Sequence, residues 1–463
     1  MQGVSSGAGK SLVACGLCRS LARRGLRVAP FKAQNMSNNA RVVDGGEIGT
    51  AQWLQALAAG VVPDVRMNPV LLKPESDVRS QVVVNGRVDH ALTAAPWRGR
   101  SEQLWPSVVE AFESLRADVD VVVIEGAGSP AETNLWGDDI VNMAVAELAD
   151  APVLLVADID RGGAFAHLYG TWSLLPPRWQ RRVDGFLLNK FRGDASLLDP
   201  APADLEARTG VPTVGVVPWI DHDLPDEEGP SRRSRPRSGR RVALVCGPYA
   251  SNLDEFTALQ QVADVRLIGD RGSLAEADLV ILPGSKHAAR DLAWLRATGL
   301  AGQVAAAVAQ GVPVLGICGG LQMLGLRIDD PGAVEGAAEG LGLLPIVTTY
   351  SPDKRTVRSR AQFARLPEAW DWLSGRGAGG YEIRHGHSRP VDDAAECCTV
   401  APDGLAFAAG NVLGVYLHGL FESPDVLEAF AGRRPEPLDA VFDHLADALD
   451  THLDQRWLAA RVG

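Results

Sequence analysis

The chain has 463 residues, 46% of them hydrophobic and 22% charged, ordinary globular material long enough for two or three cores. Its formal net charge of -12 argues against a general binder of nucleic acid or anionic membrane, so an anionic ligand must be met by a local cluster of cations. Six cysteines without a signal-peptide pattern, and no apolar run near the ~20 residues that span a bilayer, point to a soluble protein of a reducing cytoplasm.

The chain opens on "GVSSGAGKS" (3–11), which ends in the Gly-Lys-Ser of a phosphate-binding loop and runs into a helical stretch. In such a loop the backbone around Gly3, Ser6 and Gly9 cradles phosphates, Lys10 reaches the terminal ones, and Ser11 binds Mg2+. Five residues between Gly3 and Gly9, rather than four, resemble the dethiobiotin synthetase type of ATPase. Only Met1 and Gln2 precede Gly3, so the strand feeding the loop is expected to be cut short or to begin upstream. Cys15 and Cys18 follow on the helix as buried face residues, with no second pair at metal spacing.

Strand-length runs then alternate with helix-length segments at 26–31, 119–128, 151–160, 183–191 and 212–219. That alternation predicts a parallel sheet covered on both faces. Glu125, in "IEGAGS" after the second run, sits where an acid could hold Mg2+ directly or through water. Asp158 and Asp160, in "VADIDRGG", end the next strand on the edge where open α/β sheets bind ligands. Of 45 basic residues only six are lysine, which makes Lys10, Lys32, Lys73 and Lys190 candidates for places where a guanidinium does not fit.

From 224 to 240 the texture changes to Pro, Ser, Gly and Arg without apolar periodicity, which reads as an exposed linker. A second α/β region follows, with strands predicted at 240–246, 277–285, 311–320 and 410–421. Within it "PVLGICGGLQML" is an apolar strand, a Gly-x-Cys-x-Gly turn and a helix start, a nucleophile elbow with Cys318 in place of serine. The NH of Gly319 could donate to an oxyanion, and the turn "LPGSK" offers a second donor at Gly284. His418, directly after a late strand, is the best-placed base; His385 and His387 compete and are read as substrate-side or structural. Adjacent Cys397 and Cys398 carry no such context. Past 431, Val441, Leu445, Leu449 and Leu453 fall about four apart and predict a closing amphipathic helix.

"GICGGLQMLG" with "YLHGLFE" resembles the class I glutamine amidotransferases, in which a cysteine releases ammonia from glutamine through a thioester. That family follows its histidine with proline and glutamate; Gly419 and Leu420 stand there instead, and Glu422 is four residues on, so the third triad member is missing at that spacing. "APFKAQNMSNNA", "GGEIGTAQ", "MNPVLLKP", "IEGAGSPAETNL", "VADIDRGG" and "NKFRGD" together resemble the cobyric acid synthase family over about residues 3 to 430.

The resemblance implies two α/β domains: an ATP-dependent synthetase at 1–223 and, beyond a linker at 224–240, an amidotransferase at 241–430, with a helical tail at 431–463. It implies ATP and Mg2+ as cofactors, with glutamine and a corrinoid polycarboxylate as substrates, the b, d, e and g carboxylates being amidated. Asn189 is then assigned to the nucleotide, and Lys32, Lys73, Asn35, Asn39, Gln52, Asp158 and Asp160 to the acceptor substrate or the transferring phosphoryl. Gly7, Asn38, Ala40, "PDEEG" (225–229) and "CGPYASNLDE" (246–255) depart from the family pattern and put substrate details in question. A related carboxylate amidase, acting on cobyrinic acid or a peptidoglycan lipid, stays open, as does a chromosome-partitioning type of ATPase, although the latter needs neither elbow nor late histidine.

Overall fold

The computed structural model describes residues 1–76, 79–225, 239–391 and 398–462. Most of the segment 224–240, with the arginines between 232 and 237, lies outside them, as does Cys397. In the first half the apolar runs form parallel strands: Gln2–Gly3, Val153–Asp158, Val183–Phe191 and Thr213–Pro218 pair in that order. Val28–Phe31 and Val121–Ile124 pair beside them. Hydrogen bonds from the Met1 amino group to Ile124 O and from Gly126 N to Met1 O join the two groups into one surface. The strand before the phosphate loop is two residues long, held by a neighbour on each side.

Unforeseen by apolar periodicity, short strands follow the second core strand: Gln34–Met36, Val70–Ser76, Arg79–Val84 and Arg87–Val88 form one sheet, and Ala40–Val43 pairs with Gly46–Gly49 in a hairpin. Arg41, Glu47 and Gln81 on them pair with Asp254, Lys354 and Lys286 of the second half rather than with water, so the simple in/out alternation fails there. Leu71, Val83 and Ala40 pack together against Ile383 of the second half.

In the second half seven described strands pair in the order Asp264–Ile268, Arg241–Val245, Leu279–Leu282, Val314–Ile317, Val412–Val415, Ala406–Ala409 and Cys398–Ala401. The first five run parallel, and the last two are joined by antiparallel pairings. A long hairpin, Ile346–Gln362 with Gly377–Pro390, stands beside this sheet.

The predicted closing helix forms over Leu438–His452, but not as a separate tail. Its apolar face joins the core of the first half, where Val441, Phe442, Leu445 and Leu449 meet Val13, Leu17 and Leu21 of the helix Lys10–Arg23. Arg19 with Asp443, Arg23 with Asp447 and Arg24 with Asp450 line the same seam. Asp454 N then donates to Val214 O at the edge of the first sheet. The second domain is thus held between two segments of the first.

Candidate functional site

At the carboxyl ends of the first sheet the loop from Val4 to Gly9 leads into the N-terminus of the helix Lys10–Arg23, the end of a helix that favours an anion. Lys10 Nζ donates to Ser5 O at 3.1 Å and Gly128 O at 3.3 Å, so it lies across the loop. Ser6 is exposed at the loop tip. Asn189 Nδ2 donates to Ala8 O at 3.0 Å and Lys190 Nζ to Gly7 O at 2.6 Å, so both brace the loop.

Glu125 is fully buried and accepts from Ser11 Oγ at 2.8 Å, Lys32 Nζ at 2.9 Å and Gln55 Nε2 at 2.6 Å. Burial opposes its charge, yet the Lys32 ammonium and these hydrogen bonds hold the carboxyl below its ordinary range. Two hard oxygens, from Ser11 and Glu125, therefore meet beside the helix N-terminus; that donor set fits Mg2+ completed by phosphate and water oxygens. Among the described residues no cluster of three His, Cys, Asp or Glu side chains could hold a metal by itself. Asp158 pairs with Lys190 at 2.9 Å and Asp160 with Arg192 at 3.1 Å, which keeps both carboxylates on the loop side of the sheet.

The elbow forms as its sequence requires. Cys318 has φ 51° and ψ -103°, a strained setting for a residue with a Cβ, between the strand Val314–Ile317 and the helix Gly319–Leu324. The turn demands glycine beside it: a Cβ on Gly320 would meet Leu282 O at 1.9 Å, and one on Gly319 would meet Ser285 N at 2.6 Å. The 282–285 loop is thus pressed against the elbow, and a Cβ on Gly284 would meet the His418 ring at 2.9 Å.

His418, 2% exposed, is beside Cys318 and hydrogen-bonds Glu255, Nδ1 to Oε1 at 2.8 Å. Gly419 N donates to the second Glu255 oxygen at 2.7 Å. Burial alone would lower the ring, but Glu255 and Cys318 outweigh it and push His418 up to about 10. The acid missing after the histidine is therefore Glu255, supplied by the turn Leu253–Phe256 behind the first strand of the same domain. Glu422 turns instead to Arg41. The only advance sign of Glu255 was a pair of acids, Asp254 and Glu255, shortly after a predicted strand, on the edge where parallel sheets bind ligands.

The residues assigned to the acceptor substrate do not gather in one place. Lys73 lines the cleft that contains Cys318 and His418, with Asn38 from the same half and Lys286, Lys354 and His385 from the other. It pairs there with Glu47, 2.6 Å away, which Lys354 also contacts at 2.6 Å. Burial, with Lys354 and Lys286 nearby, pushes Lys73 down to about 7 despite Glu47. Asn39 Oδ1 accepts from Leu253 N across the domain boundary at 3.2 Å. Asn35 donates to Gln52 at 3.2 Å, both buried inside the first domain. His385 Nδ1 lies 3.0 Å from Ser351 O, and burial pushes its ring down to about 4, so it is neutral near pH 7. Burial likewise pushes the Cys15 and Cys18 thiols up, as inert face residues.

Residues 1–229 match the model of the CobQ/CobB/MinD/ParA nucleotide-binding domain, and residues 241–426 that of the CobB/CobQ-like glutamine amidotransferase domain. The chain is 57% identical to a cobyric acid synthase of Variovorax paradoxus (strain S110), over 98% of this chain and 96% of that one. The chain belongs to the cobyric acid synthase family. Others of the family, from Paracidovorax citrulli (strain AAC00-1) at 56% identity and Polaromonas sp. (strain JS666 / ATCC BAA-500) at 53%, align over 99% and 98% of this chain and 97% and 96% of theirs. The family places a glutamine-hydrolysing domain and a nucleotide-binding domain in one chain, as the two sites described above require. Among the described residues no single helix is long and apolar enough to cross a membrane.

Proposed function

We propose that this protein amidates the b, d, e and g carboxylates of adenosylcobyrinic acid a,c-diamide at the expense of ATP and glutamine, giving adenosylcobyric acid in cobalamin synthesis. A cytoplasmic setting goes with this reading, since both ATP and free glutamine are cytoplasmic. One observation carries the division of labour: the cleft that holds Cys318 and His418 is also lined by Asn38 and Lys73 of the nucleotide-binding half. The nucleophile faces the domain that would use its product.

In this reading the Cys318 sulfur attacks the side-chain carbonyl of glutamine, and the negative oxygen that develops is met by the NH of Gly319 and the 282–285 loop. His418 passes its proton to the leaving nitrogen, which departs as ammonia, and a water hydrolyses the thioester to glutamate. Glu255 holds the ring in the tautomer and orientation that this requires. At the other site a carboxylate is too poor an acyl donor for ammonia, so it takes the γ-phosphoryl of ATP and becomes an acyl phosphate, from which ammonia then displaces phosphate. Lys10 would lie along the transferring phosphoryl, and Asn189 and Lys190 keep the loop in shape for it. Ser11 and Glu125 would hold Mg2+, which would supply neutralisation of the phosphate charge.

The test is to incubate purified protein with ATP, Mg2+, glutamine and the corrinoid diamide and to weigh the products, each conversion lowering the mass by about one unit. No conversion overturns the substrate assignment. For Cys318→Ala the expectation is loss of glutamine-driven amidation with ammonia-driven amidation kept; loss of both would give Cys318 another role.

A further inference from the structure

Arg41 lies on the hairpin Ala40–Val43 of the nucleotide-binding domain, yet its side chain, 2% exposed, is buried against the amidotransferase. Its Nη2 meets Asp254 Oδ2 and its Nη1 meets Glu422 Oε1, each at 2.5 Å. The guanidinium lies over the ring of Tyr381, 5.3 Å from its centre, and Tyr381 in turn stacks on His418 with centroids 5.2 Å apart and planes inclined by 18°. Asp254 precedes Glu255, the acid that orients His418, on the same short turn. Further bonds from the first domain reach that turn: Thr50 Oγ1 to Asp254 at 3.1 Å, Asn39 Oδ1 from Leu253 N at 3.2 Å, and Ala40 O from Asn252 Nδ2 at 3.3 Å.

We propose that Arg41 is a positioning residue of the glutaminase supplied across the domain boundary: by clamping Asp254 and Glu422 and backing Tyr381, it sets Glu255 and the ring plane of His418, which lack full alignment without it. A buried guanidinium held by two carboxylates is directional in a way that apolar packing is not, because its planar fork fixes where each oxygen must sit. Every contact between Arg41 and the reacting atoms passes through another side chain, so it touches no substrate. The consequence is a nucleophile whose base is aligned only while the consumer domain is docked, which ties ammonia release to the place of its use.

This inference rests on the glutaminase reading of Cys318 and His418. The experiment uses the full-length chain and its Arg41→Met and Arg41→Lys variants. A triple variant, Arg41→Met with Asp254→Asn and Glu422→Gln, leaves no buried charge unpaired and covers the case in which Arg41→Met alone fails to fold. Glutamine hydrolysis is measured as kcat and KM, together with the pH dependence of Cys318 alkylation by iodoacetamide, quantified at that residue by mass spectrometry. The expected result for Arg41→Met and for the triple variant is a kcat at least tenfold lower, KM within about twofold, and an alkylation profile displaced along the pH axis, with ammonia-driven amidation kept; Arg41→Lys recovers part of the kcat. A triple variant that keeps wild-type kcat and alkylation profile overturns the proposal, as does loss of glutamine- and ammonia-driven amidation together. Absence of glutamine hydrolysis in the wild-type chain overturns the glutaminase reading instead, so the two failures are distinguishable.

Discussion

The residues of the candidate sites are set by their partners more than by their own type. His418 is lifted from an ordinary 6.5 to about 10 because Glu255 and Cys318 together outweigh its burial. A folded-state value above the unfolded one means that this charge stabilises the fold fully below about pH 6.5 and ceases to do so as pH rises through 10. Replacing Glu255 with Gln removes the larger attraction, so the ring should fall back toward 6.5 and the alkaline limb of glutamine hydrolysis should move down with it. We expect kcat to fall roughly 10²-fold, within the range a positioned acid–base group contributes. The stability gap to wild type, read by urea unfolding at pH 7 and at pH 10.5, should narrow at the higher pH; a gap independent of pH would assign Glu255 a role other than holding the charged ring. Of the four lysines singled out for their rarity, Lys10, Lys32 and Lys190 surround the phosphate loop and Glu125, and Lys73 lines the Cys318 cleft, where Lys286 and Lys354 join it.

At the scale of elements, strands and helices whose apolar residues recur with a single period were legible, and those that face a second domain were not. The elbow strand Val314–Ile317 and the closing helix Leu438–His452 follow their patterns closely. The hairpin 40–49 and the long hairpin 346–390 do not, because polar residues on them are satisfied by another part of the chain. The seam between the first and the closing helix depends on close approach at Gly16, where an added Cβ would meet Leu449 Cδ1 at 2.6 Å and Leu445 O at 3.1 Å. Gly16→Val should therefore force the helices apart and cost about 1–3 kcal/mol, typical of overpacking. Chemical denaturation gives the value directly, and an unchanged midpoint would mean that the seam yields without cost.

In the whole molecule the two halves are interlocked rather than strung in series. The last helices return to the first domain's core, and the hairpin bearing Arg41 enters the amidotransferase. Removing residues from Leu438 onward should expose the apolar face of Val13, Leu17 and Leu21, and damage the nucleotide-binding half although the cut lies after the other one. Limited proteolysis of the truncated chain is expected to cleave first within 1–223 and to leave 241–430 the more resistant part; the reverse order would place the closing helix with the second domain. What the sequence determined by itself is whatever local sterics and short periods encode: the glycine-rich phosphate loop, the elbow at Cys318, the core strands, and the apolar stripe of the closing helix. Only the tertiary structure decided that Glu255, 163 residues from His418, is its acid, that Lys73 and Asn39 face the amidotransferase, and that Arg41 joins the domains. The reason is physical: a buried charge takes its role from the partner that neutralises it, and no spacing along the chain specifies a partner brought close by folding.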